Sequence, residues 1–404
     1  MKKLPEGWKE VKLTEVTSLI TCGVAARPEY IEEGVPFLSS KNVKANKIFF
    51  QNFNCISEET HNQLTKKNKP EKGDILYTRV GSFGDAAVID FDEEFSIFVS
   101  LTLIKPIKEL VYSYYLMYLL NSERFKQLAI SSTTGIGVQN LNVNAVREFK
   151  IPLPPLETQK QIAAVLDKAD ELRQKRKQAN AKLDEFLQSV FLDMFGDPTK
   201  NSKGWKECKI VDICAVQTGS TPSREKPEYY NGDIPWVKTG EVINSYIYDT
   251  EEHITQEAIN KSNCKLFPQN TILVAMYGQG YTRGRAAILK KKATTNQACS
   301  AILPSEKINH EFLFNLLKAQ YNTLRELGRG GNQPNLNLSM VKNFEIYLPP
   351  IGLQNEFAQI VEKVEDLKKK NEASAVKLDD LFNSLLQRAF KGELEFREEA
   401  LAKV

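Results

Sequence analysis

The chain has 404 residues, 42% of them hydrophobic and 26% charged, with a net charge of +3. That length exceeds one ordinary domain and predicts two or three, with enough apolar mass for real cores. The longest apolar stretch, VYSYYLMYLL over 111–120, falls well short of the roughly 20 residues a membrane span needs. No apolar run follows the lysines of MKKLPEGW, so a cytoplasmic location without a signal peptide is expected.

In chain order, GWKEVKLTEV at 7–16 opens a segment of short strands and turns. SEETHNQL follows, with Ser57 as a helix N-cap ahead of an acidic first turn. DILYT reads as a short buried strand and runs into the glycine-rich RVGSFGD at 79–85. STTGIGVQNLN at 132–142 then leads to the proline break LPP at 153–155. After it the pattern becomes helical, since proline ends what precedes and tolerates a helix starting behind it.

The second half repeats this order. GWKECKIVDI at 204–213 matches GWKEVKLTEV, IPWVKTGEV matches VPFLSSKNV, and NTILVAMYGQGYTRGRAAIL at 270–289 matches GDILYTRVGSFGDAAVI at 73–89. QPNLNLSMVKNFEIYLPPIGLQNEF at 333–357 matches QNLNVNAVREFKIPLPPLETQKQI at 139–162. Offsets stay between 195 and 200, so one unit is duplicated in tandem. The predicted architecture is α+β: domains at 1–155 and 198–350, with helical spacers at 156–197 and 351–404.

Each spacer carries apolar residues at steps of 3 and 4, a coiled-coil pattern. The predicted seam is Ile162, Val165, Leu172, Leu183 and Phe186 on the first helix, and Phe357, Ile360, Leu367, Leu378 and Leu381 on the second. Connectivity favours antiparallel pairing, because the first helix must deliver the chain to the second domain and the second return from it. The expected object is pseudo-twofold, a domain at each end of a rod. A helix of about 35 residues is roughly 50 Å long, the span of about 15 base pairs.

Positive charge concentrates on the second domain: the net is +1 over 1–155, −1 over 156–197, +5 over 198–350 and −2 over 351–404. Phosphate attraction would act there. Glycine-rich loops let backbone approach a duplex while side chains reach phosphates or base edges. The candidate DNA-binding residues are Lys41, Asn42, Arg79 and Ser82 in the first domain and Lys238, Thr239, Tyr277, Gln279, Arg283 and Arg285 in the second. For any one arginine the ordinary turn reading competes. Asn140, Asn142, Asn335 and Asn337 read mostly as turn and cap formers.

Six scattered cysteines without a CxxC pair and three histidines predict buried thiols and no metal site. There is no GxxxxGK[ST] loop, NPPY-type tetrapeptide, HExxH, GxSxG or Cys–His pairing, so catalysis is not expected. YGQGYTRGR only superficially resembles a dinucleotide fingerprint, with the wrong glycine spacing.

LPEGWKEVKL, TRVGSFGDAAVI, the boundary TGIGVQNLNVNAVREFKIPLPPLETQKQIAAVLD and its duplicate LPPIGLQNEFAQIVEKV resemble specificity subunits of type I restriction-modification systems. The resemblance covers essentially the whole chain; the LPP-then-helix boundary, occurring twice, is its most specific feature. It implies two target recognition domains, each reading half of a split, asymmetric double-stranded DNA site. It also implies helices that set the unread gap and dock two modification (methyltransferase) subunits, with ATP-driven restriction subunits joining the complex. The chain itself would need no cofactor; adenosylmethionine, ATP and Mg would belong to partner subunits. Two alternatives are a coiled-coil scaffold whose repeated domains bind protein, and the recognition part of a fused restriction-methylation enzyme.

Overall fold

The computed structural model describes residues 4–134, 140–278, 280–329 and 334–396. It divides into two units, Met1–Lys177 with Ala373–Val404, and Gln178–Glu372. Each unit holds one repeat and half of each long helix.

In the first unit, Lys9–Lys12 pairs antiparallel with Lys150–Leu153, joining the start of the repeat to its end. Between them runs a four-stranded antiparallel sheet in the order Thr17–Cys22, Leu101–Pro106, Ile75–Thr78, Ala86–Val88. Ile75–Thr78 is buried along its whole length because both faces are covered. Ile75 and Tyr77 join Tyr115, Leu116 and Leu119 of the helix Ser113–Asn121 in one core. Leu76 joins Leu38, Leu101 and Leu103 in a second core. A strand covered on both faces reads as an unbroken apolar run, the pattern of DILYT.

The second unit reproduces this plan. Lys206–Lys209 pairs with Glu345–Leu348, and the central sheet runs Val216–Thr218, Cys299–Ile302, Ile272–Ala275, Ala286–Leu289, Tyr246–Ile247. Ile272 and Val274 face a core containing Phe312, Leu313 and Leu316, while Leu273 and Ala275 face one containing Val237 and Val242. Ser57 caps its helix as expected, accepting from the Thr60 amide, and Thr255 accepts from the Ala258 amide at the matching place in the second repeat. Gly23 and Gly219 are a feature repeated in both units. A Cβ on either would sit 2.1 Å from the Ile97 carbonyl oxygen or 1.9 Å from that of Thr295, so only glycine fits.

Each repeat grips the root of its long helix through a buried glutamine. Gln159 Nε2 donates to the Leu110 and Pro154 carbonyls while its Oε1 accepts from the Tyr112 amide. Gln354 Nε2 donates to the Pro349 carbonyl and its Oε1 accepts from the Asn309 amide.

The long helices, Leu156–Phe195 and Ile351–Phe390, have 40 residues each and are about 60 Å long. They pack antiparallel: in the second unit Asn180 meets Asn371 at 3.1 Å and Asp184 meets Lys368 at 2.6 Å, one number rising as the other falls. Ile162, Leu183, Phe357 and Leu378 lie on the packed face as expected, the first and third buried and the others half-buried. Six of the ten expected seam positions are displaced by one residue. Leu172, Phe186, Leu367 and Leu381 are 45, 51, 48 and 50% exposed, and Val165 and Ile360 are only half-buried. Leu166, Arg173, Leu187, Val361, Lys368 and Phe382 take the packed positions instead.

Two long cations, placed inside the seam, explain the displacement. Arg173 lies over the Phe382 ring at 4.2 Å and reaches Asp379 at 2.6 Å and Asp170 at 3.0 Å. Lys368 occupies the matching position in the second unit, bonded to Asp184 at 2.6 Å and Glu365 at 2.8 Å. Burial works against the Lys368 ammonium, yet its two carboxylate partners raise its pKa overall. Long cationic side chains cover apolar surface with their stems while a carboxylate meets the head.

Candidate nucleic-acid interface

In each repeat four separate segments converge at one end of the inner strands of the central sheet. In the first, the Ser40 amide donates to Ser100 Oγ and the Arg79 amide to the Ser100 carbonyl, while the Leu141 amide donates to the Arg79 carbonyl. These bonds tie together the turn Ser40–Asn42, the hairpin loop 79–83, residues 99–100 and residues 140–141. In the second, Thr239 Oγ1 bonds Asn296 Oδ1 at 3.1 Å, the Met276 amide donates to the Ala298 carbonyl, and the Leu336 amide donates to the Met276 carbonyl. The sequence candidates thus fall on segments that the fold gathers into one patch per repeat.

Their individual roles differ. Lys41 and Tyr277 are exposed, and Ser82, Thr239 and Arg285 half-exposed. Lys238 is half-exposed and engaged by Glu251 at 2.7 Å and Glu252 at 3.3 Å, which hold its pKa up. Gln279 lies outside the described residues.

Three candidates are structural, and the expectation that they touch DNA is corrected. Asn42 is 2% exposed; its Oδ1 accepts from the Ser39 amide, and its Nδ2 donates to the Phe49 and Gln51 carbonyls. Arg79 is 7% exposed, with Nε donating to the Leu141 carbonyl and Nη1 to the Val99 carbonyl, each at 2.9 Å. Arg283 is 9% exposed and donates through Nη1 to the Pro334 carbonyl. A guanidinium is a rigid fork of donors and acceptor-rich loop ends need donors, so an arginine beside a glycine loop can serve as an internal clamp. Asn142 and Asn337 cap helices, accepting from the Asn144 and Met340 amides.

The braces of the second loop were not legible. Arg325 Nη2 donates to the Gly280 carbonyl at 2.6 Å and Nη1 to the Arg283 carbonyl at 3.2 Å. Tyr321 Oη donates to the Tyr281 carbonyl at 2.8 Å. Both residues lie on the short helix Tyr321–Glu326, about 40 positions from the loop they hold. Burial, followed by the nearby Arg325 charge, lowers the pKa of Arg283.

Among the described residues no group of three or more His, Cys, Asp or Glu could hold a metal ion, and no helix is long and apolar enough to cross a membrane. Cys214, Cys264 and Cys299 are buried free thiols and Cys22, Cys55 and Cys208 are half-buried; burial pushes Cys214 and Cys299 up to about 11.

An α+β module present twice, each copy rooted on a long helix and gathering its loops at one end of a sheet, is the build of a bipartite recognition protein. The chain belongs to the type I restriction modification DNA specificity domain family, whose model matches residues 5–184 and again 202–397. It is 23% identical to the type I restriction enzyme MjaIX specificity subunit of Methanocaldococcus jannaschii, over 98% of this chain and 95% of that one. It is also 23% identical to the HindI specificity subunit of Haemophilus influenzae, over 96% of this chain and 99% of its relative. In fold it resembles the type I restriction-modification S subunit from M. genitalium, with a TM-score of 0.56, 16% identity and 98% of each chain covered.

Proposed function

We propose that the chain is a DNA specificity subunit that reads a split, asymmetric duplex target, one half with each repeat. It performs no chemistry itself. Methyl transfer with adenosylmethionine and ATP- and Mg-dependent restriction belong to partner subunits, and two modification subunits dock on the long helices. The observation that carries this reading is the paired loop patch: the same four segments converge in each repeat, but with different side chains. Such patches suit two different half-sites. Lys41 and Ser82 in the first repeat, and Tyr277, Thr239 and Arg285 in the second, are the accessible candidates for base or phosphate contact.

The exposed Leu172 and Leu381 in the first unit, and Phe186 and Leu367 in the second, give the helices apolar docking positions. The two sets correspond under the repeat, which suits one modification subunit per unit. No observation favours the protein-binding scaffold.

Methylation mapping in a host that expresses the chain with its modification subunits tests the reading. Removing one heptad from both long helices shortens the unread gap by about three base pairs and leaves both half-sites unchanged. An unaltered gap would reject the helices as the spacer.

A further inference from the structure

The hairpin loops of the two repeats can be aligned through their backbone bonds. Gly84 N donates to the Thr78 carbonyl and Thr78 N to that of Asp85; Gly284 N donates to the Ala275 carbonyl and Ala275 N to that of Arg285. Residues 79–83 therefore correspond to residues 276–283, and the second loop is three residues longer. The tips differ in character. In the first repeat Phe83 turns into the core, and Lys126 bonds Asp85 at 3.3 Å beside the loop. In the second, Tyr281 is 76% exposed, the highest value among the exposed large hydrophobic residues described.

This exposure is not slack in the loop. The carbonyls of Gly280, Tyr281 and Arg283 are all taken up by Arg325 and Tyr321, and Arg325 Nη1 also bonds Tyr321 Oη at 3.0 Å. Fixing a loop costs conformational entropy, yet here the bracing leaves an aromatic ring in water. The ground beside it is cationic. Arg325 Nη1 reaches the Arg283 carbonyl, the bonds described for both guanidinium groups go to carbonyl or hydroxyl oxygens and none to a carboxylate, and the buried Arg283 Nε has no hydrogen-bond partner. Residues 276–285 contain no acidic side chain, in a segment of net charge +5 over 198–350. An exposed aromatic ring on cationic ground suits a DNA duplex, whose base edges and thymine methyl groups line the grooves and whose backbone supplies the anions.

We infer that Tyr281 is a specificity-determining residue for the half-site read by the second repeat, contacting a base there, and that Arg325 and Tyr321 are positioning residues that present it. The inference rests on the DNA-reading function proposed above. It assigns the three-residue extension of the second loop to one half of the target and leaves the other half to a shorter loop of different chemistry.

The test is methylation mapping with the complete methyltransferase complex carrying Tyr281→Ala, Tyr281→Phe or Arg325→Ala. Tyr281→Ala lowers methylation of cognate sites about tenfold and relaxes one position of the second half-site, leaving the first half-site and the gap intact. Tyr281→Phe keeps the ring and retains most of the activity. Arg325→Ala relaxes the same half-site without touching the exposed ring. An unchanged motif and rate in both alanine variants would overturn the assignment, as would impaired assembly with the motif intact. Failure of the underlying DNA-reading proposal looks different, because the unmutated complex would then yield no two-part motif.

Discussion

The two repeats close the same hairpin at the same end of the sheet with different clamps. In the first, Arg79 follows the strand directly and is buried, its guanidinium bonding two carbonyls of neighbouring segments. In the second, Met276 takes the corresponding backbone position. The clamp moves to Arg283 at the far end of a longer loop, assisted by Arg325 from a distant helix. Backbone plan is thus preserved while side-chain solutions drift. That is how a duplicated module can acquire two recognition surfaces without a second fold.

Core packing at the roots of the long helices shows the same divergence, and the largest expected effect lies there. Phe357 meets Phe191 and Phe195 at ring distances of 5.4 Å, while the equivalent residue of the first repeat is Ile162. Phe357→Ala should cost about 4 kcal/mol and Ile162→Ala about 3, read from urea unfolding midpoints. A larger loss at Ile162 would show that Phe357 and the rings it meets do not anchor the second unit more firmly than Ile162 anchors the first.

Next come the buried glutamines. Replacing either with alanine leaves buried carbonyl and amide groups unmet, which costs about 2 kcal/mol. Gln159→Ala should cost more than Gln354→Ala because it serves three groups against two. Hydrogen exchange at the Tyr112 and Asn309 amides reports the two losses separately. If both amides stayed as protected as in the parent chain, the glutamines would not hold these joints.

The smallest difference is expected in the seam. Arg173→Met should destabilise by about 1 kcal/mol and Lys368→Met by less, since only Arg173 combines its ion pairs with packing over an aromatic ring. High salt should narrow this gap only partly, because the ring contact involves little solvent. Equal losses in a thermal melt would remove the ring from the account.

Duplication made the architecture legible from sequence: a pattern seen twice at one offset is far stronger than any single motif. The strands, caps and paired helices followed from it. The seam register was only half legible, because leucine at 172 and 367 is more apolar than its neighbours Arg173 and Lys368. Heptad reading rewards hydrophobicity and cannot see the carboxylates Asp379 and Asp184 that let the cations turn inward. Clamp arginines looked like readers for the same reason: loop position and charge are visible in sequence, whereas the carbonyls that Arg79 and Arg283 satisfy come from segments far along the chain. Arg325 and Tyr321 carried no signal, lying on a short helix with no glycine or repeat partner to mark them.

The glutamine joints also bear on mechanical precision. A helix of about 60 Å is a lever, and a rotation of a few degrees at its root displaces the far tip by several ångströms, comparable with the rise of one nucleotide step. By fastening the first turn to a neighbouring helix start and to the proline carbonyl behind it, one amide group per repeat stiffens that pivot. On the proposed reading, a softened pivot would blur the gap between half-sites without altering any residue that touches the target.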